Sequence, residues 1–381
     1  MLNEMDPGFI RPWRDDRRTP FIEIDAWRLE RNLQRMQQKA AAAGVALRPH
    51  VKTHKSLDIA HRQLALGAVG ITVSKPSEGV VFIRGGVRDV LLAYPVIRAA
   101  TLEPLLAEAK RHQARVTLIT ADAAGVEAIA QAARVQNMPD LGVYIKIDVG
   151  LGRVGVSATG AAPLRLATAL QQHGLRFAGL LSHAGHAYSA GSAIELAQLA
   201  AAEARLLLAA RQRLAQAGFP ACALSTGATP TALGAPIAAG LDEIRPGNYA
   251  LLDLTGVRLG ICRPDDMAMT VVARVVAVND DYAIVDAGSK ALSSDLGPHG
   301  TGGSGWGIAV NQHLPLTYQV IKLSEEHGFI LHNGVKPEIG SLMRIFPNHA
   351  CAVMAMFDEY VLRDDAYNGK RVAIEARGQF T

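Results

Sequence analysis

From residue 47 to residue 253 the sequence repeats one alternation: a short β-like run, then a stretch rich in Ala, Leu and Arg. The runs are LRPHV, GITVS, DVLLAY, RVTLIT, GVYIKID, FAGLLSH, ALSTG and EIRPGNYALLD, and residues 57–66, 123–133 and 194–217 are helical candidates between them. Eight strands separated by helices over about 200 residues is the arithmetic of a (β/α)8 TIM-type barrel, whose chemistry gathers at the C-terminal ends of the strands. A doubly wound open sheet has the same period and is the alternative, because periodicity does not report closure.

After residue 256 the pattern changes. TVVARVVAVN, YAIVDAG, TYQVIKLS, GFILHN, SLMRIFP, AVMAMFDEYVL and RVAIEARG follow one another as strands with no long helix between them, which predicts a second, all-β domain. The early run FIEID, residues 21–25, precedes the first helix and has no place among the eight, so it is assigned to the β domain. The expected organisation is an N-terminal arm over residues 1–19, a barrel over 26–256, and a discontinuous β domain made of 20–25 and 257–381. LGPHGTGGSGWG, residues 296–307, reads as a mobile loop near a site.

Composition excludes several functions. The 39 Lys+Arg exceed the 35 Asp+Glu by only four, and no basic run is interleaved with aromatics, so no nucleic-acid partner is expected. Three widely spaced cysteines, Cys222, Cys262 and Cys351, argue against a disulfide framework and for a reducing, cytoplasmic compartment. No stretch reaches the roughly 18 uninterrupted apolar residues of a membrane span, and the N-terminus lacks the apolar core of a signal peptide.

The chemistry-bearing residues cluster at the predicted strand ends. RPHVKTHKS, residues 48–56, sets Lys52 at the end of the first strand with His50 two residues before it, on the same face if the strand continues; Lys55 is the rival lysine. STGATPTAL, residues 225–233, brings hydroxyls and a glycine (Thr226, Gly227, Ala228, Thr229) to a helix start after the seventh strand, where barrels bind phosphate. RPGNYALLD adds Gly247 and Tyr249, whose hydroxyl is placed to donate to the same anion. IKIDVGLGRVGV puts Asp148 and Arg153 around a glycine turn, with Arg153 suited to a ligand's phenolic oxygen. SHAGHAY adds His183, His186 and Tyr188. FPNHACAVM spaces His349 and Cys351 as i and i+2 on a β segment, so both point to one face and can share a divalent metal, and SEEHG offers Glu325 or His327 to support it. Each motif also has a plain reading, as a helix cap, a loop ion pair or a packed histidine.

Together RPHVKTHK, IKIDVGLGRVGV, SHAGHAY, STGATPTAL, RPGNYALLD and PNHAC resemble the D-serine dehydratase and D-threonine aldolase family, whose fold is similar to alanine racemase. The order and spacing agree from about residue 20 to the end. The resemblance implies a pyridoxal 5'-phosphate enzyme with Lys52 as the cofactor lysine, with His50, Arg153, His183, Tyr188, Thr226, Gly227, Ala228, Thr229 and Tyr249 as cofactor contacts, and with a metal pair at His349 and Cys351. A cysteine ligand favours Zn2+ over Mg2+ or Mn2+, with Co2+ a further alternative; without a metal His349 would serve as acid. His-x-Cys is the pattern of the dehydratase branch, whereas the aldolase branch tends to carry His-x-Asp. The implied activity is a lyase acting on small D-β-hydroxy amino acids, by dehydration to keto acid and ammonia or, as the rival, by aldol cleavage. A racemase and a non-catalytic cofactor carrier are further alternatives, and a homodimer is expected. Arg263 is a cation that could pair a second substrate carboxylate, and Cys222 and Cys262 are expected in the core or an interface.

Overall fold

The computed structural model describes residues 17–219, 222–298, 303–314, 316–364 and 369–381. The chain forms two compact units, one made of residues 34–52, 56–247 and 378–381, the other of residues up to Leu33, 53–55 and 248–377. Residues 1–16 of the expected arm and 299–302 of the expected mobile loop lie outside the described residues.

The first unit is a parallel ring. Strands Ala46–Leu47, Ile71–Val73, Asp89–Leu92, Arg115–Thr120, Gly142–Asp148, Arg176–Leu181, Ala223–Thr226 and Glu243–Ile244 follow one another in space as in sequence. The last pairs with the first, and a bridge between His50 and Thr72 joins the first to the second, so the ring closes and the open-sheet alternative falls away. Helices Leu57–Ala65, Ala123–Gln136 and Ala193–Gln216 occupy the three predicted positions. Two of their starts follow from local chemistry. Asp122 accepts the Gly125 N–H at 2.7 Å and Ser192 accepts the Glu195 N–H at 3.1 Å, satisfying donors that have no partner inside a helix.

The second unit is antiparallel. Six strands close on themselves in the order Met269–Val278, Tyr282–Val285, Gly328–Leu331, Thr317–Leu323, Gly307–Asn311 and Leu342–Pro347, the last returning to the first. Phe21–Asp25 runs antiparallel to Met269–Val278 and parallel to Glu359–Arg363, which pairs in turn with Gly369–Ala373. Glu23, 4% exposed, receives Arg344 at 2.8 Å and Arg363 at 3.2 Å, so this early strand is held by buried charge as well as by its ladder.

Three expectations need correction. The eighth run is a strand only at Glu243–Ile244: Pro246 has no N–H to continue a ladder, and Asn248–Ala250 forms a 3-10 turn. The run AVMAMFDEYVL divides into a helix, Ala350–Met354, and a strand, Glu359–Arg363, because the Asp253 carboxylate accepts the Ala350 N–H at 2.9 Å and starts a helix there. Gly307–Asn311 is a strand that periodicity did not mark, its flanks being glycine-rich. Residues 26–33 and 248–256 group with the β unit; Asn32 Nδ2 ties them by donating to the carbonyls of Ala250 (3.2 Å) and Asp266 (2.7 Å).

Candidate active site

The first barrel strand ends where the candidate lysine begins. Ala46, Arg48 and His50 donate to the carbonyls of Asp242, Ile244 and Pro246 at 2.9, 3.0 and 3.0 Å, while Leu47 and Pro49 accept from Val69 and Thr72 at 2.9 and 2.8 Å. After Val51 the chain turns, and Lys52 stands on the turn with its N–H 3.4 Å from His50 Nδ1. His50 and Lys52 therefore do not share a strand face, because Thr53 and His54 leave the ring for fully buried positions. Lys55 is buried with φ +53, and its carbonyl accepts from Ala376 at 3.0 Å.

The fifth strand, Gly142–Asp148, carries a lysine that sequence reasoning passed over. Lys146 is 8% exposed, and burial first, then the Arg245 cation, hold its ammonium well below the usual lysine range. Beyond it the chain wraps a carboxylate: Asp148 Oδ1 accepts from Gly150 (3.0 Å) and Gly152 (3.1 Å). Burial would raise this carboxyl, but the N–H donors outweigh it and leave it below the ordinary value. A Cβ at Gly150 would lie 3.5 Å from His186 Cε1, so the glycine turn and the 3-10 turn Gly185–Ser189, which carries His186 and Tyr188, pack together.

Between these elements and the seventh strand lies His183. Its Nδ1 is 3.3 Å from the Gly227 carbonyl, which can only accept, so Nδ1 carries the hydrogen. Burial, then the charges of Lys52 and Lys146, push the imidazole well below its usual pKa, leaving a neutral ring with a lone pair on Nε2. Gly227 has φ +117, and a Cβ there would meet the Arg245 backbone nitrogen at 2.9 Å, so only glycine fits. Thr231 Oγ1 accepts from Ala228 N–H at 3.2 Å at the start of the helix Thr229–Gly234, with Thr226 and Thr229 buried beside it. Arg245 lies beneath, donating to Ser225 Oγ, the Thr226 carbonyl and the Ser182 carbonyl. Lys52, Arg153 and Arg245 bring cations to this end of the barrel, and Lys146 brings an amine that binds its proton weakly. The dianionic phosphate and aldehyde of pyridoxal phosphate fit such a lining: an amine-bearing turn, a glycine cradle without a Cβ, and nearby cations.

The β unit carries the second constellation. His349 precedes the helix Ala350–Met354 with extended backbone, and Cys351 lies within it, so the pair is not an i, i+2 pair on a strand. The side chains meet nonetheless: they share a hydrogen bond, Asp295 Oδ2 is 2.6 Å from His349 Nδ1, and Thr53 Oγ1 is 3.1 Å from Cys351 Sγ. Burial alone would lower His349, but Cys351, then Asp253 and Asp295, push it up to about 10. Asp253, 0% exposed, anchors the pair, accepting from Asn248 Nδ2 (2.8 Å) and the N–H groups of Ala350 (2.9 Å), Thr255 (3.1 Å) and Gly256 (3.3 Å). Among the described residues no three His, Cys, Asp or Glu side chains converge in metal-binding geometry. An imidazole Nε2 and a thiolate, with a carboxylate orienting the imidazole, fit a divalent ion with two protein ligands and open positions.

Other candidates separate from these sites. Glu325 and His327 sit on an exposed hairpin turn, where Ser324 and His327 bond each other and neighbouring Glu326 pairs with Lys290; Asp295, not these residues, supports His349. Arg263 is exposed at the turn Pro264–Asp266. Tyr249 is 1% exposed within Asn248–Ala250. Cys222 is a buried thiol that desolvation pushes up to about 11.

The comparisons agree with this geometry. Residues 24–254 match the family model for the alanine racemase N-terminal domain, and residues 268–363 that for a putative serine dehydratase domain. Over 360 residues the chain is 37% identical to a D-threo-3-hydroxyaspartate dehydratase of Delftia sp. (strain HT23), covering 90% of this chain and 93% of that one. It is 30% identical to a D-threonine aldolase of Arthrobacter sp over 368 residues, covering 94% and 93%. A solved cysteine-to-alanine mutant of D-threo-3-hydroxyaspartate dehydratase in the metal-free form superposes with a TM-score of 0.88 at 33% identity, over 94% of this chain and 99% of that one. With a closed parallel barrel, an antiparallel β unit and both family models matched in order, the chain belongs to the D-serine dehydratase and D-threonine aldolase family of alanine racemase-like proteins.

Proposed function

We propose that this protein is a pyridoxal-phosphate- and divalent-metal-dependent lyase that converts a small D-β-hydroxy amino acid into a keto acid and ammonia. The observation that carries the reading is the barrel end where the cations Lys52 and Arg153 and the buried amine of Lys146 surround the neutral His183 beside the Thr226–Gly227 turn. When bound, pyridoxal phosphate supplies an electron sink for the pair left at Cα, and a divalent ion, preferably Zn2+, supplies a Lewis acid for the β-hydroxyl.

The chain's own residues do the rest. Lys52 holds the cofactor and moves the α-proton. Thr226, Gly227, Ala228 and Thr229 receive its phosphate, with Tyr249 as a further donor. His50, Arg153, His183 and Tyr188 orient its ring. The fixed tautomer of His183 presents an acceptor, not a donor, to whatever lies at Nε2. His349 and Cys351 hold the metal, and the Asp295 carboxylate fixes the His349 ring so that Nε2 is the ligating atom. Loss of the α-proton and the β-hydroxide, followed by hydrolysis, accounts for keto acid and ammonia.

The Cys351 position favours dehydration, whereas the aldolase relative supports cleavage as the second reading. Incubation with D-threonine, cofactor and zinc separates them. The dehydratase reading expects 2-oxobutyrate and ammonia; glycine with acetaldehyde would replace it by the aldolase reading. We also place the protein in the cytoplasm as a homodimer, checked by light scattering; no described helix is long and apolar enough to cross a membrane.

A further inference from the structure

Ser293 follows the short helix Ser289–Leu292 in a conformation that serine rarely adopts. Its φ is +64 and its ψ 154, a region where a Cβ crowds the neighbouring backbone and which glycine alone occupies freely. The residue is 7% exposed, so the strain is not relieved by a move into solvent. Ending the helix does not require a serine: the bond from its N–H to the Ser289 carbonyl, 3.0 Å long, needs only backbone.

What a glycine would lack is the hydroxyl. Ser293 Oγ accepts the Asp295 N–H at 3.1 Å, the Gly297 N–H donates to Asp295 Oδ1 at 2.9 Å, and Asp295 Oδ2 faces His349 Nδ1 at 2.6 Å. The Asp295 side chain is 35% exposed, so burial does not hold the carboxylate in place and these hydrogen bonds must. A guanidinium braces the same place: Arg258 donates to the Leu296 carbonyl at 3.4 Å and to Asn348 Oδ1 at 3.1 Å, joining the residues next to Asp295 and His349. Arg258 spaces the two backbones, and Ser293 sets the direction of the carboxylate between them.

We propose, on the basis of the metal site assigned above to His349 and Cys351, that Ser293 is a positioning residue: its strained backbone places a hydroxyl that aims Asp295 at the His349 ring before a metal arrives. Such strain persists at functional sites because the surrounding structure enforces it, and here it exchanges stability for a preorganised ligand.

Zinc affinity by chelator competition and the Tm of the zinc-free protein, both on the purified full chain, separate this role from a merely structural one. Ser293→Ala should weaken zinc binding about 3- to 10-fold, the range for one lost neutral hydrogen bond. Ser293→Gly should weaken it equally while keeping or raising the Tm, because glycine releases the strain. In an Asp295→Ala background Ser293→Ala should cost nothing more, since the carboxylate through which it acts is gone. Wild-type zinc affinity in both Ser293 variants, a lower Tm in Ser293→Gly, or an undiminished loss in the Asp295→Ala background overturns the inference. A crystal structure of zinc-free Ser293→Ala gives a reading that no metal enters: Asp295 Oδ2 should stand more than about 3.5 Å from His349 Nδ1, beyond hydrogen-bond reach, and an intact contact overturns the inference. Wild type that binds no zinc, with the contact broken in that crystal, removes the metal reading and leaves the positioning role of Ser293 standing.

Discussion

Asp295 Oδ2 lies 2.6 Å from His349 Nδ1, a carboxylate against the ring nitrogen that does not face the proposed metal. Such a contact fixes the tautomer and the ring plane, and its loss typically costs about 10- to 100-fold in metal affinity. Asp295→Ala should weaken zinc binding by that factor in a chelator competition while the visible absorbance of bound cofactor stays unchanged. Unaltered zinc affinity would show that the pair merely caps a loop.

Gly227 tests the phosphate cradle. Its φ of +117, and the 2.9 Å separation a methyl group there would have from the Arg245 nitrogen, leave no room for a side chain. Gly227→Ala should lower cofactor retention at least tenfold by dialysis. Strain of about 1–3 kcal/mol at such a position also predicts a lower Tm. Wild-type retention would move the phosphate elsewhere.

Lys146 should be a liability in the cofactor-free protein. Its folded pKa lies well below the ordinary 10.5, so the unfolded chain binds a proton at neutral pH that the folded chain resists. Its stabilising share is fully present only above pH 10.5 and is lost as pH falls. Lys146→Met should therefore raise the Tm of cofactor-free protein at pH 7, with a smaller gain at pH 10. A lower Tm at pH 7 would mean that the amine is charged and paired.

His183 makes a second pH signature. Because its folded pKa is depressed below 6.5, stability is complete above that value and declines as pH falls from 6.5 towards 5, where the unfolded chain takes up the proton. The urea midpoint of wild type should drop between pH 7.5 and 5.5, and His183→Asn should drop less. Equal slopes would put the imidazole in contact with solvent.

The barrel was legible because eight apolar runs recur at helix-separated intervals, and Phe21–Asp25 could be assigned by elimination. Closure was not legible, since it rests on His50 meeting Thr72, a bridge without a periodic signal. The HxC pair was found in the sequence but given the wrong local shape: alternation over residues 349–354 resembles a strand, and only Asp253, about a hundred positions earlier, turns it into a helix. Asp295 was invisible for the same reason, its role being set entirely by tertiary contact. Lys146 did leave a mark. A lysine between the buried Ile145 and Ile147 in a largely buried strand points its amine into the barrel, and that position could have been read alongside Asp148.

Lys52 is the residue on which the functional reading depends, and reductive trapping tests it most directly. Holoenzyme treated with borohydride, digested and mapped by mass spectrometry should carry the phosphopyridoxyl mark on the peptide containing Lys52, at Lys52 itself, and Lys52→Ala should carry none and lose its visible absorbance. A mark on Lys55 or Lys146 in wild type, or a Lys52→Ala protein that still traps the cofactor at wild-type yield, would contradict the assignment.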